Sequence, residues 1–320
     1  MDAALIGLDW GTSSFRGYRM AADGTVLERR EAPAGILQVV DRDFDAAFVR
    51  LVGDWVGAGA PVLASGMIGS RQGWVEAPYA PCPAGAEDIV GHLVAELRFV
   101  PGLSFRGADG VPDVMRGEET QILGVLAQRP EARLLVLPGT HSKWALVEQG
   151  RVVWFASFMT GELFAVLRQH SILGRLMQGD AADTAAFARG VRFGLSGDPG
   201  AGGLLRRLFS ARTLGLFDEV PGTGIADYLS GLLLGCELRE AFGCAGRPAV
   251  ETGVLIVGGA ALAARYRTAL EIAGGGSEAP AGEAAGTGRH RRRPRCRADR
   301  RLRQWEHSTS IFRSSPSCAA

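Results

Sequence analysis

Apolar and polar positions alternate along the start of the chain, with Ile6 and Leu8 on one face, and the alternation breaks at Gly11-Thr12-Ser13-Ser14. It resumes through Met20, so the stretch reads as strand, tight turn, strand. After a turn at Asp23-Gly24, the run Thr25-Val26-Leu27 predicts a third strand. The period then changes. Phe44, Ala47, Phe48, Leu51, Val52 and Trp55 fall at helical spacing and predict a helix over 44–56. Pro61 to Ala64 reads as the next strand, and it runs into a glycine-rich loop, Ser65 to Trp74, of the kind that walls a ligand site. A short strand is expected over 99–103 and a turn at Asp109-Gly110. Gly117 breaks the chain before Glu118-Glu119, which open a helix with Ile122, Leu123, Val125 and Leu126 on its apolar face.

The first pattern returns 128 residues later. Val136 to Trp144 runs from an apolar strand into Gly139-Thr140-His141-Ser142-Lys143 and out into another strand, then to a turn at Gln149-Gly150 and a β-rich run from Arg151 to Phe155. Beyond it, a helix is expected over 163–169, and the mixed stretch 187–217 offers one helix at 203–208. Residues 225–242 are apolar nearly all round, so they predict a helix buried between layers, with Gly231 and Gly235 allowing close packing. Val254 to Leu262 reads as strand, double glycine (Gly258-Gly259), helix. A repeated unit of strand, glycine loop, strand, turn and strand predicts an α/β protein of two similar domains, 1–127 and 128–272, with both loops turned into one cleft.

Composition narrows the class. The 320 residues are 47% hydrophobic and 22% charged, which is ordinary for a globular protein and long enough for two domains. The apolar runs are shorter than the roughly 20 residues a membrane span requires. No basic segment precedes an apolar run at the start, and the five cysteines follow no metal or disulfide spacing, so a reducing, cytoplasmic setting is expected. Of 35 basic residues, 34 are arginine, and the single lysine is Lys143, inside the second Gly-Thr loop. Residues 273–320 depart from the rest, with ten arginines against four acids, a net of +6 where residues 1–272 carry −5. This tail lacks the aromatic interleaving of a nucleic-acid site. It reads as an altered, disordered C-terminus, as a shifted reading frame would give, and neither a nucleic-acid nor a membrane partner is expected.

The candidate chemistry is phosphate chemistry. Gly11, Thr12 and Ser13 combine a backbone that can approach closely with hydroxyls and exposed N–H groups, and Gly139, Thr140 and Lys143 repeat that combination with a compact cation. Asp9 suits a Mg²⁺ held through water beside phosphate. Gly258 and Gly259 offer a flat backbone for a nucleoside. Glu118 and Glu119 lie in a first helical turn, where one serves the positive helix end and the other a general base; the sequence does not choose between them. Arg116 or Arg71 suits a substrate carboxylate. Thr160, beside Gly161, adds a hydroxyl and a flexible backbone.

The paired hairpins resemble the superfamily of sugar kinases, acetate kinase, actin and heat-shock ATPases. More closely, Leu8 to Thr12, Ser65 to Gly69, Gly73-Trp74, Ala77 to Tyr79, Met115 to Gln121, Leu137 to Trp144, Met159 to Glu162 and Leu229 to Leu233 together resemble the 2-dehydro-3-deoxygalactonokinase family. The resemblance covers roughly residues 5–272. It implies an actin-like (ribonuclease H-like) fold with an interdomain ATP cleft, and ATP- and Mg²⁺-dependent phosphorylation of 2-dehydro-3-deoxy-D-galactonate at its 6-hydroxyl in galactonate catabolism, with domain closure excluding water. It also implies a final strand and helix returning to the first domain, where this chain has Arg-rich sequence. An exopolyphosphatase-like phosphohydrolase, suggested by Gly117-Glu118-Glu119, and a non-catalytic actin-like ATP-binding protein are the alternatives.

Overall fold

The computed structural model describes residues 3–56, 59–95, 97–179, 181–246, 253–274 and 277–278. The chain divides into two compact units, one holding residues 1–132 and 147–154, the other 133–146 and 155–280. The sequence places a boundary at 127/128; the short excursion of 147–154 into the first unit has no counterpart in that reading.

The first unit is built on a four-stranded sheet of β1 (Leu5–Trp10), β2 (Phe15–Met20), β3 (Val26–Ala32) and, beyond α1 (Phe44–Val56), β4 (Val62–Ser65). Its order is β3-β2-β1-β4, with β1 antiparallel to β2 and parallel to β4. The apolar face predicted from Ile6 and Leu8 is buried with Trp10 and Phe15 against Phe44, Phe48, Val52 and Trp55 of α1. β5 (Ala80–Pro81), α2 (Ala86–Gly91), β6 (Leu103–Arg106) and β7 (Pro112–Met115) follow, the strands forming a small sheet, and α3 (Glu118–Leu126) closes the unit. The strand expected at 99–103 starts instead at Leu103. Pro101 has no N–H to give to a ladder, and Phe99 makes only isolated bridges, to Ala64 and Val94.

The second large sheet, which outside 147–154 belongs to the second unit, repeats the scheme. β8 (Leu134–Leu137), β9 (Ser142–Glu148) and β10 (Arg151–Phe158) form the meander, and the helices α4 (Thr160–His170), α5 (Thr184–Leu195), α6 (Leu204–Leu208), α7 (Ser210–Leu216) and α8 (Ile225–Ala245) precede β11 (Val254–Ile256), α9 (Ala260–Ile272) and β12 (Ser277–Glu278). The order β10-β9-β8-β11-β12 places β11 parallel to β8, as β4 is to β1. Each unit therefore has the same mixed order about its first strand, the ribonuclease H-like arrangement of actin-like ATPases.

Two sequence readings change here. The stretch 187–217 holds two further helices, α5 and α7. Gly190 and Gly194 look like helix breakers, yet they are contact points. A Cβ on Gly190 would lie 2.1 Å from Tyr228 O of α8, and one on Gly231 of α8 would lie 2.1 Å from Phe187 O of α5. Asp183 caps α5 by accepting from Ala186 N at 2.8 Å. The expected break after 272 is also incomplete, because Ser277 and Glu278 pair in parallel with Val254 and Leu255. Residues 279–320, to which the expectation of a disordered tail mainly applies, lie outside the described residues.

Candidate active site

Both Gly-Thr loops are wedged by a glycine that follows the third strand of their own unit. In the first unit, Gly11 N donates to Ser14 O at 2.9 Å, closing the turn, while Ile36 N donates to Gly11 O at 3.0 Å. A Cβ on Gly35 would lie 2.3 Å from Thr12 O, so only hydrogen fits there. Trp10 Nε1, donating to Ala34 O at 2.8 Å, ties the strand end to the same segment. Thr12 and Ser13 are left exposed at the tip.

In the second unit, Gly161 at the start of α4 plays the part of Gly35. A Cβ on it would lie 2.4 Å from Gly139 O, and Glu162 N donates to Thr140 O at 2.9 Å. Thr140 is exposed; His141 pairs with Glu162 through its Nε2. Lys143 is not on the loop. It is the second residue of β9, opposite Leu137, only 7% exposed, and its ammonium donates to Ser157 Oγ on β10.

Asp9 stands at the end of β1, in register with Ser65 at the end of β4. Parallel pairing thus brings the first loop and the glycine-rich loop to one edge. Arg16 donates to Asp9 Oδ2 at 2.9 Å. Burial raises the Asp9 pKa, and the Arg16 charge and hydrogen bond oppose that rise. The other oxygen, Oδ1, lies 3.4 Å from where a Cβ of Gly66 would be. Gly66 (φ 93°) and Gly117 (φ 107°) both hold left-handed backbone, and a Cβ on Gly117 would lie 3.5 Å from Gly66 Cα. The start of α3 is therefore packed directly on the turn beside Asp9.

The two glutamates there differ. Glu119 is fully enclosed; its carboxyl accepts from Gly117 N at 2.7 Å and lies 3.5 Å from Ser65 Oγ. Burial, with the neighbouring Glu118 charge second, pushes its pKa up to about 8. Glu118 is half-buried and accepts from Arg116 N at 3.0 Å. Arg116 enters the site from the end of β7. Its Nη2 donates to Ala77 O at 2.7 Å and its guanidinium lies over the Tyr79 ring at 4.3 Å. Its Nε and Nη1 are buried and, among the described residues, have no hydrogen-bond partner. A Cβ on Gly69 would approach Nη1 to 3.2 Å, so the glycine-rich loop leaves room for this cation. Arg71, on the same loop, is 87% exposed and paired with Glu76. Of the two arginines, Arg116 is held inside the fold and Arg71 lies on its surface.

The second unit carries a cavity of about 390 Å³ whose lining includes Gly139, Thr160, Gly161, Leu233, Leu262 and Tyr266. It therefore adjoins the second Gly-Thr loop and runs along α8 and α9. Gly258 and Gly259, expected at a nucleoside, stand just before α9, with Leu262 one turn further on. Behind this wall lies a group that the sequence reading passed over. Glu237 of α8 is 2% exposed; Trp144 Nε1 donates to its Oε1 at 2.7 Å, and Tyr266 Oη donates to its two oxygens at 2.9 and 3.0 Å. Its signal is an acid directly after the apolar run Leu232 to Cys236, in the middle of a mostly apolar helix.

As a fit for Mg²⁺, Asp9 supplies one carboxylate, and no cluster of three or more His, Cys, Asp or Glu occurs among the described residues. One carboxylate suits a Mg²⁺ that takes its remaining ligands from phosphate and water. No helix among the described residues is long and apolar enough to cross a membrane.

Comparison with known proteins follows the same lines. The chain is 40% identical to a Rhizobium meliloti (strain 1021) protein assigned as 2-dehydro-3-deoxygalactonokinase DgoK1, over 83% of this chain and 89% of that one. It is 33% identical to the 2-dehydro-3-deoxygalactonokinase of Escherichia coli (strain K12), over 89% and 95%. The crystal structure of a Sinorhizobium meliloti protein assigned to the same activity superposes with a TM-score of 0.78 at 38% identity, covering 86% of this chain and 93% of that one. The family model for 2-keto-3-deoxy-galactonokinase matches residues 9–289. Its match begins at Asp9 and takes in both wedged loops, the α3 glutamates and the cavity, and the chain belongs to the 2-keto-3-deoxy-galactonokinase family.

Proposed function

We propose that the protein is an ATP-dependent sugar-acid kinase that phosphorylates 2-dehydro-3-deoxy-D-galactonate at its 6-hydroxyl. The observation that carries the acid substrate is Arg116. Two buried guanidinium nitrogens without acceptors among the described residues are costly, each by about 1–3 kcal/mol, and a carboxylate arriving there removes that cost. The chain's own residues divide the work of phosphoryl transfer, which is chiefly positioning and charge neutralisation. Backbone N–H groups and hydroxyls of Thr12 and Ser13, on the turn that Gly11 opens, and of Gly139 and Thr140, hold phosphate oxygens. Lys143 contributes positive charge from within β9. Asp9 holds Mg²⁺, which when bound neutralises charge on the phosphates. The cavity along α8 and α9 takes the nucleoside, and Thr160, in its lining, offers a hydroxyl to the substrate.

Glu118 is the proton acceptor in this reading. Glu119 is enclosed and, with a pKa near 8, mostly protonated at neutral pH, so it neither reaches a substrate hydroxyl nor is ready to take its proton. Its role is to fix the start of α3 through Gly117 and Ser65.

A coupled ADP-release assay across a panel of sugar acids tests the proposal. ADP release is expected with 2-dehydro-3-deoxy-D-galactonate and Mg²⁺, and not with ATP alone. Equal release without a sugar acid, or hydrolysis of inorganic polyphosphate in its place, refutes it.

A further inference from the structure

Glu237 is a buried acid that the proposed transfer does not use, and its partners are informative. Trp144 lies on β9, the strand that leaves the second Gly-Thr loop, and Tyr266 lies on α9 and lines the cavity. Burial raises the Glu237 pKa; Thr160, Trp144, Tyr266 and Ser142 act against that rise through their hydrogen bonds to the carboxyl. Ser142 follows the loop directly, and Thr160 opens the helix whose Gly161 is wedged on Gly139 O. A single carboxyl on α8 therefore ties together the loop's outgoing strand and the helix that walls the cavity.

We infer that Glu237 is a positioning residue for the nucleotide, holding the phosphate-binding loop and the nucleoside wall in one fixed relation. The inference rests on the reading of the cavity as the nucleotide site. Indole N–H can only donate, and a carboxylate is the acceptor that can satisfy it together with a phenol. An amide at this position keeps the volume but turns an NH₂ toward donors. The β9 and α9 contacts then lose their shared anchor, and the error falls on ATP rather than on the sugar acid, because neither contact belongs to the Arg116 site.

The test compares wild type with Glu237→Gln and Tyr266→Phe, the latter losing one hydroxyl and keeping the ring. Steady-state kinetics are run with ATP and with the sugar acid varied in turn, and ADP binding is read from the rise it gives in melting temperature. The expected result is a KM for ATP raised about tenfold in Glu237→Gln, since a hydrogen bond to a charged group is worth about that factor or more, and by a smaller factor in Tyr266→Phe. The KM for the sugar acid stays within about twofold, the scale of perturbation at a site with no shared contact. The rise in melting temperature on adding ADP shrinks in both variants. If Glu237→Gln does not fold, Tyr266→Phe decides alone. Unchanged ATP parameters in folded variants, or equal losses for both substrates, overturn the inference while leaving the kinase reading intact. No ADP-induced shift in the wild type overturns the nucleotide reading of the cavity as well.

Discussion

The row of glycines between α5 and α8 sets up a test in which one substitution has opposite signs at two places on a single helix. Gly231 and Gly243 both lie in α8. Ala in place of either removes the penalty of a helical glycine, worth about 0.8–1.0 kcal/mol in favour of the variant. At Gly243 nothing lies within 4 Å of the new Cβ, so that gain stands alone. At Gly231 the Cβ would sit 2.1 Å from Phe187 O and 3.0 Å from Val191 N, both backbone atoms, against an ordinary contact of 3.4–4 Å. Backbone cannot rotate aside, so α5 and α8 must separate by more than 1 Å, as the difference between 2.1 and 3.4 Å requires. That separation loosens Tyr228, Leu229, Leu232 and Leu233, which form the core of this unit. Overpacking typically costs about 1–3 kcal/mol and occasionally more. A rigid backbone clash belongs at the upper end, so the net expected for Gly231→Ala is a loss of about 2 kcal/mol. In a unit of this size that is a fall of roughly 4–8 °C in melting temperature, with Gly243→Ala rising by a few degrees. Thermal melts of the two variants beside wild type check it. A Gly231→Ala protein as stable as wild type, or one that gains as Gly243→Ala does, refutes the account of why these helices touch.

Three further outcomes are expected. Glu119 has a folded pKa of about 8 against an ordinary value of 4.5, so folding takes up a proton and the stability it contributes is full below 4.5 and is lost as pH rises through 8; Glu119→Gln should flatten this loss and melt higher than wild type at pH 9, as paired melts at pH 5.5 and 9 would show. Glu118→Gln should lower kcat by about 10²–10⁴ with ADP binding intact, and a fall of the same small size in both glutamine variants would mean that neither residue accepts the proton. Lys143→Ala should raise the KM for ATP, and a change in kcat/KM under about twofold would remove its charge from the phosphate site.

Much of this architecture could be read directly from the chain. The helix over 44–56 follows from apolar spacing alone, and α3 starts at Glu118 because Gly117 before it breaks the pattern. The parallel between the two halves was visible as two Gly-Thr loops and proved to extend to strand order. What stayed hidden depended on partners distant in sequence. Gly190 and Gly194 weaken a helix by local propensity and become its contact points only once α8 is laid across them. Glu237 is one of three acids in a mostly apolar helix until Trp144, 93 residues away, donates to it. Lys143 was read as a loop residue because the glycine turn dominates its neighbourhood, whereas the ladder opposite Leu137 makes it strand. Arg116 and Arg71 differ in burial, which a string of residues does not carry.

The burial of Lys143 has a practical consequence. A lysine-specific protease has one scissile bond in the entire chain, between Lys143 and Trp144, because no other lysine occurs. That bond lies in β9, paired with β8 on one side and with β10 on the other. A paired strand does not fit a protease groove, so cutting waits for the sheet of the second unit to open, and the cutting rate follows the open fraction when reclosure is fast. The protein thus carries its own single-hit reporter, in which one band becoming two on a gel measures how often the phosphate-binding half comes apart.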